Sequence, residues 1–185
     1  MLYRVFPFDP ALDPEPLAVP RSLQGGGRHD NPDHYTALYL STEPIAAVAE
    51  RIQAFRGQAL DPSDLRLVDG RVWAVAALDD AALPPLIDLD DPRVLVAIDR
   101  RPSAVATGHR PTTQRIALER FQAGAVGLSW WSTLEAGWTN VTLFDERLPP
   151  GRLPIHGVTP LTTAHSSVIA AADRLGIGLS KAARS

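Results

Sequence analysis

Apolar and polar residues alternate in LYRVF, Leu2 to Phe6, which predicts a strand with Leu2, Arg4 and Phe6 on one side. From Pro7 to Gly27 the pattern dissolves into Pro, Gly and Asp, which predicts a long loop. Loops of that length inside a domain are uncommon and often functional. Alternation returns in TALYLS, Thr36 to Ser41, with Leu38 and Leu40 on one face and Ala37, Tyr39 and Ser41 on the other. The period then changes. Ile45, Val48, Ala49, Ile52 and Phe55 recur at helical spacing, behind Thr42 as N-cap and Pro44 in the first turn. Glu50 falls nearly opposite that stripe, flanked by Ala46 and Ala47. The Tyr39 face of the strand and the Glu50 face of the helix are thus expected to point away from the leucine core.

Further along, Arg71 to Leu78 predicts a strand, and Asp88 to Asp99 fits either a short helix or a strand. Pro111 to Ala123 predicts a helix anchored by Ile116, Leu118 and Phe121. Ala125 to Ser132 and Thr139 to Phe144 predict strands separated by a turn around Gly137. Thr162 to Leu175 predicts a helix for packing or an interface, after which the last residues are expected to fray. There is no repeat, low-complexity stretch or clear linker. The expectation is one α/β (α+β) domain over 1–185, a mixed sheet flanked by helices. Its core runs to about residue 160, followed by a helical tail.

Composition narrows the class. The chain has 185 residues, 45% hydrophobic and 21% charged, with a net charge of -3. That suits a globular domain with a sizeable core and argues against direct nucleic-acid binding, which favours a basic stripe. No cysteine is present, so thiolate nucleophiles, disulfides and cysteine zinc sites are excluded. The first residues lack a signal-peptide pattern, and no stretch approaches the ~18 apolar residues of a membrane span. A cytoplasmic protein that does not engage membranes is expected.

The familiar motifs are missing. The histidines, His29, His34, His109, His156 and His165, show no helical metal spacing and no HExxH. No G-x-S-x-G elbow, Walker A lysine or G-x-G-x-x-G occurs. Arg28, Tyr39 and Glu50 remain, spaced eleven residues apart, with Ser132 ending a later strand. Alone, these are a loop charge, a strand aromatic, a helix-surface carboxylate and a strand end. In order, they resemble the RES family, named for its arginine, glutamate and serine. LYRV resembles the family's opening, with Arg4 in its usual place. GGGR supplies Arg28, ALYLSTEPIAAVAE supplies Tyr39 and Glu50, GLSWWS supplies Ser132, and TNVTLF carries the typical asparagine, Asn140. Departures are His29 in place of a tryptophan-like residue, Val126 for aspartate, Trp130 for tyrosine and Thr133 for a basic residue.

The resemblance implies a fold similar to ADP-ribosyltransferases and an NAD-degrading toxin of a bacterial toxin–antitoxin pair. NAD is then the substrate, with inorganic phosphate or water as acceptor and no metal or other cofactor. The chemistry suits the residues. Arg28 would hold the diphosphate as a guanidinium fork, with the Gly25–Gly27 N–H groups as the floor of that site. Tyr39 would fix the nicotinamide ribose, and Glu50 would stabilise developing positive charge. Ser132 would orient that carboxylate or bind the nicotinamide side, and Arg4 would bind acceptor phosphate or diphosphate. The implied partners are a cognate antitoxin and, in line with the family, a second copy of the chain. Two other readings stand beside this one: ADP-ribose transfer to a macromolecule, and a non-catalytic module that binds a nucleotide or antitoxin.

Overall fold

The computed structural model describes residues 1–148, 151 and 153–180, so the end of the tail expected to fray, 181–185, lies outside the described residues. In chain order the elements are β1 Leu2–Phe8, β2 Ala37–Ser41, α1 Pro44–Ile52, β3 Ala59–Leu60, β4 Val72–Leu78, β5 Ile87–Asp88, α2 Pro92–Ala97, α3 Pro102–Ala106, α4 Arg110–Gln122, β6 Gly127–Trp131, β7 Thr139–Phe144, β8 Ile155–Pro160, α5 Ser166–Leu175 and β9 Gly178–Leu179. The class is the mixed α/β expected. The chain forms two compact units. The first takes Met1–Pro16, Ser41–Asp80 and the chain from Leu153 onward. The second takes Leu17–Leu40 and Ala81–Arg152.

In the first unit β1 runs antiparallel to β4, from Leu2 opposite Leu78 to Phe8 opposite Val72. β8 pairs antiparallel with β4. Leu2 and Phe6 are buried as the alternation requires, and β1 continues two residues beyond Phe6. α1 packs on β1, β4 and α5. Its buried face is wider than the predicted stripe, because Ala46 and Ala47 are buried along with Val48, Ala49 and Ile52. Small side chains let neighbours close in from more than one side. The N-cap is Glu43, without a side-chain cap bond, rather than Thr42; Pro44 opens the helix as expected. The tail helix starts at Ser166, later than predicted, where the His165 ring accepts the Ser167 N–H. It ends on Gly176 at φ 67°, the left-handed turn that glycine favours. The parallel pair β3–β9 follows.

In the second unit β5 runs parallel to β6, and β6 antiparallel to β7, so both pairings of a mixed sheet are present. The ambiguous stretch 88–99 is both alternatives in sequence: the end of β5, then α2 capped by the Asp91 side chain. Tyr35, Leu89, Leu95, Val105, Ile116, Leu128 and Phe144 form much of this unit's core. α4 buries Thr113, Ile116 and Ala117, while the predicted anchors Leu118 and Phe121 are only partly covered. β7 matches its predicted span, Thr139–Phe144. Both faces of β2 are covered. Ala37 on the Tyr39 face is buried like Leu38 and Leu40, so that face is covered as well. Loop 24–31 covers Tyr39, through Asp30 and the His29 N–H.

Candidate active site around Arg28

The three glycines let the chain turn back over its own aspartate. Asp30 Oδ2 accepts the N–H of Gly25 at 2.8 Å and of Gly27 at 2.7 Å. Its Oδ1 accepts the Tyr39 hydroxyl at 2.7 Å. The Tyr39 oxygen in turn accepts the His29 N–H at 2.8 Å. A Cβ at position 27 would sit 2.5 Å from both Asp30 Oδ1 and the Tyr39 oxygen, so only glycine fits. The loop's N–H groups were expected to face a diphosphate, but those of Gly25 and Gly27 already have Asp30 as acceptor. A carboxylate three to five residues away in the chain is present at a high effective concentration, so it takes these donors first.

The carbonyl side of the loop is tied to α4. Gln114 Nε2 donates to Gly25 O and Gly27 O at 3.0 Å each, and the Thr113 hydroxyl donates to Arg28 O. Tyr35 donates to His29 O at 2.7 Å, and Asn31 Nδ2 reaches Gln114 O at 2.9 Å. The Gln24 side chain meets both the N–H and the carbonyl of Ala37.

Arg28 is 8% exposed. Its Nη1 donates to Val105 O at 2.8 Å and Thr107 O at 2.9 Å, at the end of α3. Its guanidinium lies over Trp130, 5.0 Å from the ring centroid. Next to it His29 is buried edge-on against Trp130, with Nδ1 2.8 Å from Thr142 Oγ1. The Trp130 indole N–H donates to the same hydroxyl oxygen at 3.1 Å. Burial, then the charges of Arg28 and Arg110, push the His29 pKa down to about 3, so the ring is neutral near pH 7. Burial foremost, and then Asp30, hold the Tyr39 phenol well above its ordinary value, so it stays protonated.

Ser132 follows β6 in this unit and is buried. Its N–H donates to Trp138 O at 2.7 Å, and its Oγ accepts the Leu134 N–H at 3.1 Å. Asn140, also buried, stands opposite Trp130 in the β6–β7 register. Arg4 and Glu50 belong to the first unit. Arg4 is on β1 opposite Ala76, and Glu50 is on α1, where Gln53 Nε2 donates to its Oε2 at 2.9 Å. The structure therefore brings Gly27, Arg28 and Tyr39 together around Asp30, with Ser132 in the same unit and Arg4 and Glu50 in the other. Among the described residues no group of three His, Asp or Glu side chains could hold a metal ion. Among the same described residues no helix is long and apolar enough to cross a membrane.

The family model described as the RES domain matches residues 1–163. The chain belongs to the RES domain family. None of the curated proteins compared with this RES chain matches it. Among solved structures it is similar to a chain of the M. tuberculosis MbcT–MbcA toxin–antitoxin complex. The TM-score is 0.66 at 19% identity, covering 88% of this chain and 84% of that one, a likeness of fold.

Reading the sequence missed Asp30, Thr113, Gln114 and Thr142 as parts of this arrangement. Asp30 had a local signal, an acid two residues after the arginine of a glycine loop. Thr113, Gln114 and Thr142 had none, because their partners lie 85, 89 and 113 residues away in the chain.

Proposed function

We propose that this RES chain is a toxin-like enzyme that breaks the bond between nicotinamide and ribose in NAD. The observation that carries the reading is the RES match over residues 1–163, a span that holds Arg28, Tyr39, Glu50 and Ser132. The burial of Arg28 against Trp130 supports it, because a guanidinium acts on a diphosphate more strongly where water is excluded. As nicotinamide leaves, the C–N electron pair passes to the pyridine nitrogen, and the ribose carbon takes oxocarbenium character. The Glu50 carboxylate stabilises that charge, and the Tyr39 ring packs on the ribose. Arg28 meets the diphosphate with its guanidinium. Ser132 orients the carboxylate or binds the nicotinamide side, and Arg4 takes acceptor phosphate or diphosphate. A phosphate oxygen then bonds to the ribose carbon, giving ADP-ribose 1″-phosphate. With water as acceptor the product is ADP-ribose and a released proton. NAD is the substrate, and no further cofactor is assigned. The partner proposed is an antitoxin, by analogy with the toxin–antitoxin complex of similar fold, and the setting is the cytoplasm.

The test is incubation with NAD, with and without inorganic phosphate, following nicotinamide by chromatography. Phosphate-dependent release would assign phosphorolysis, and phosphate-independent release hydrolysis. Labelled NAD that tags a macromolecule would move the reading to ADP-ribose transfer. Glu50→Gln is expected to lower release by roughly 100-fold or more, the scale of one lost charge-stabilising group. An unchanged rate in that variant refutes the proposed activity.

A further inference from the structure

We infer that Asp30 is a positioning residue: its carboxylate fills the anion seat of the glycine loop from within the chain and holds Arg28 and Tyr39 as one piece. Its effect on turnover rests on the NAD-cleaving reading above, while its hold on the loop rests on geometry alone.

Asp30 is 6% exposed and takes three donors, the N–H groups of Gly25 and Gly27 and the Tyr39 hydroxyl, at 2.7 to 2.8 Å. These donors grip Arg28 from both sides. The amide just before it goes to Asp30, and the amide just after it, that of His29, goes to the oxygen of Tyr39. The Arg28 carbonyl takes the Thr113 hydroxyl, and its guanidinium is held by α3. The main chain at Arg28 and the Tyr39 ring are thus fixed to one carboxylate. An external anion has no access to the Gly25 and Gly27 amides while Asp30 occupies them. The diphosphate of NAD is accordingly met by the Arg28 side chain and not by those two amides. The single proton of the Tyr39 hydroxyl points at Asp30, so Tyr39 presents its ring rather than its hydroxyl proton to a ligand.

Three variants separate the parts. Asp30→Asn keeps an oxygen for the loop amides but puts an N–H donor where Tyr39 needs an acceptor. Asp30→Ala empties the seat, and Tyr39→Phe removes only the hydroxyl. Amide hydrogen exchange without NAD reads the loop, and kcat and KM for NAD read the site. Asp30→Ala is expected to speed exchange at Gly25, Gly27 and His29 and to raise KM roughly tenfold or more. Added formate, a carboxylate small enough for the emptied seat, should restore part of the KM in Asp30→Ala and none in Asp30→Asn. Asp30→Asn and Tyr39→Phe are expected to speed exchange at His29 above all, with a double variant no worse than the poorer single. Unchanged exchange in Asp30→Ala overturns the inference. Faster exchange with an unchanged KM overturns the positioning role. Wild-type protein inert toward NAD overturns the proposed activity instead, and the exchange pattern then decides the role of Asp30 in the loop.

Discussion

Replacing Gly27 by alanine tests the loop without removing any polar group. The new methyl carbon would lie 2.5 Å from both Asp30 Oδ1 and the Tyr39 oxygen, where ordinary contact begins near 3.4 Å. Something must move by about 0.9 Å, the difference between those two distances. Asp30 cannot retreat without leaving the Gly25 and Gly27 amides, and Tyr39 cannot retreat without leaving His29. Overpacking costs about 1–3 kcal/mol, and a lost hydrogen bond to a charged group about 1.5–3 kcal/mol. Alanine returns about 0.4–1 kcal/mol by restricting the unfolded chain. The net is a loss of about 1.5–5.5 kcal/mol, a drop in Tm of roughly 3–20 °C for a chain of this size. Gly26 is the internal control. A Cβ there meets nothing within 4 Å, and its φ lies outside the left-handed region. Only the entropic gain remains, so Gly26→Ala should raise Tm by about 1–4 °C. Thermal melts followed by circular dichroism would decide. Equal shifts for the two neighbours would refute the packing of the loop on Asp30 and Tyr39.

Thr142→Val keeps the shape of the side chain but leaves both the His29 ring nitrogen and the Trp130 indole N–H without a buried partner. A loss of about 2–4 kcal/mol is expected in urea denaturation. Acid should act through His29. Between pH 6.5 and about 3 the unfolded ring holds a proton that the folded ring does not. Stability therefore falls as pH drops through that window, by a little over 1 kcal/mol per unit. His29→Asn should flatten that limb, and a limb of unchanged slope would remove His29 as its source. Arg28→Lys keeps the charge but loses the planar fork. It should fold and should raise KM for NAD about tenfold or more, a comparison read from steady-state rates.

Legibility followed the range of the forces involved. Strands β1, β2 and β7 and helices α1 and α4 were readable because period and capping are written within a few residues of each other. Pro44 and the Ile45-to-Ile52 spacing placed α1 without any knowledge of its neighbours. The five residues of α3 are too few for a period, yet Val105 within it and Thr107 just after it carry the carbonyls that anchor Arg28. The resemblance to the RES family singled out Arg28, Tyr39, Glu50 and Ser132, and the structure then paired Arg28 and Tyr39 through a shared neighbour, Asp30. The glycine amides were expected to face the diphosphate of a ligand. The Asp30 carboxylate takes those of Gly25 and Gly27 instead; the acid after Arg28 is visible in GGGRHD, but the direction in which the loop folds back is not.

The match to the RES family ends at residue 163, and the fold does not. Beyond it α5 buries Val168, Ala171, Ala172 and Leu175 and packs on α1, the helix that carries Glu50. β9 then joins β3. A gene stopped at the homology boundary would express a body with one side of α1 stripped bare, and its silence in a growth assay would report aggregation rather than lost chemistry. The same division suggests a tool. Two fragments severed between β8 and α5, each inert, would regain their common core only when tethered to partners that bring them together, the layout of a split-protein reporter of proximity.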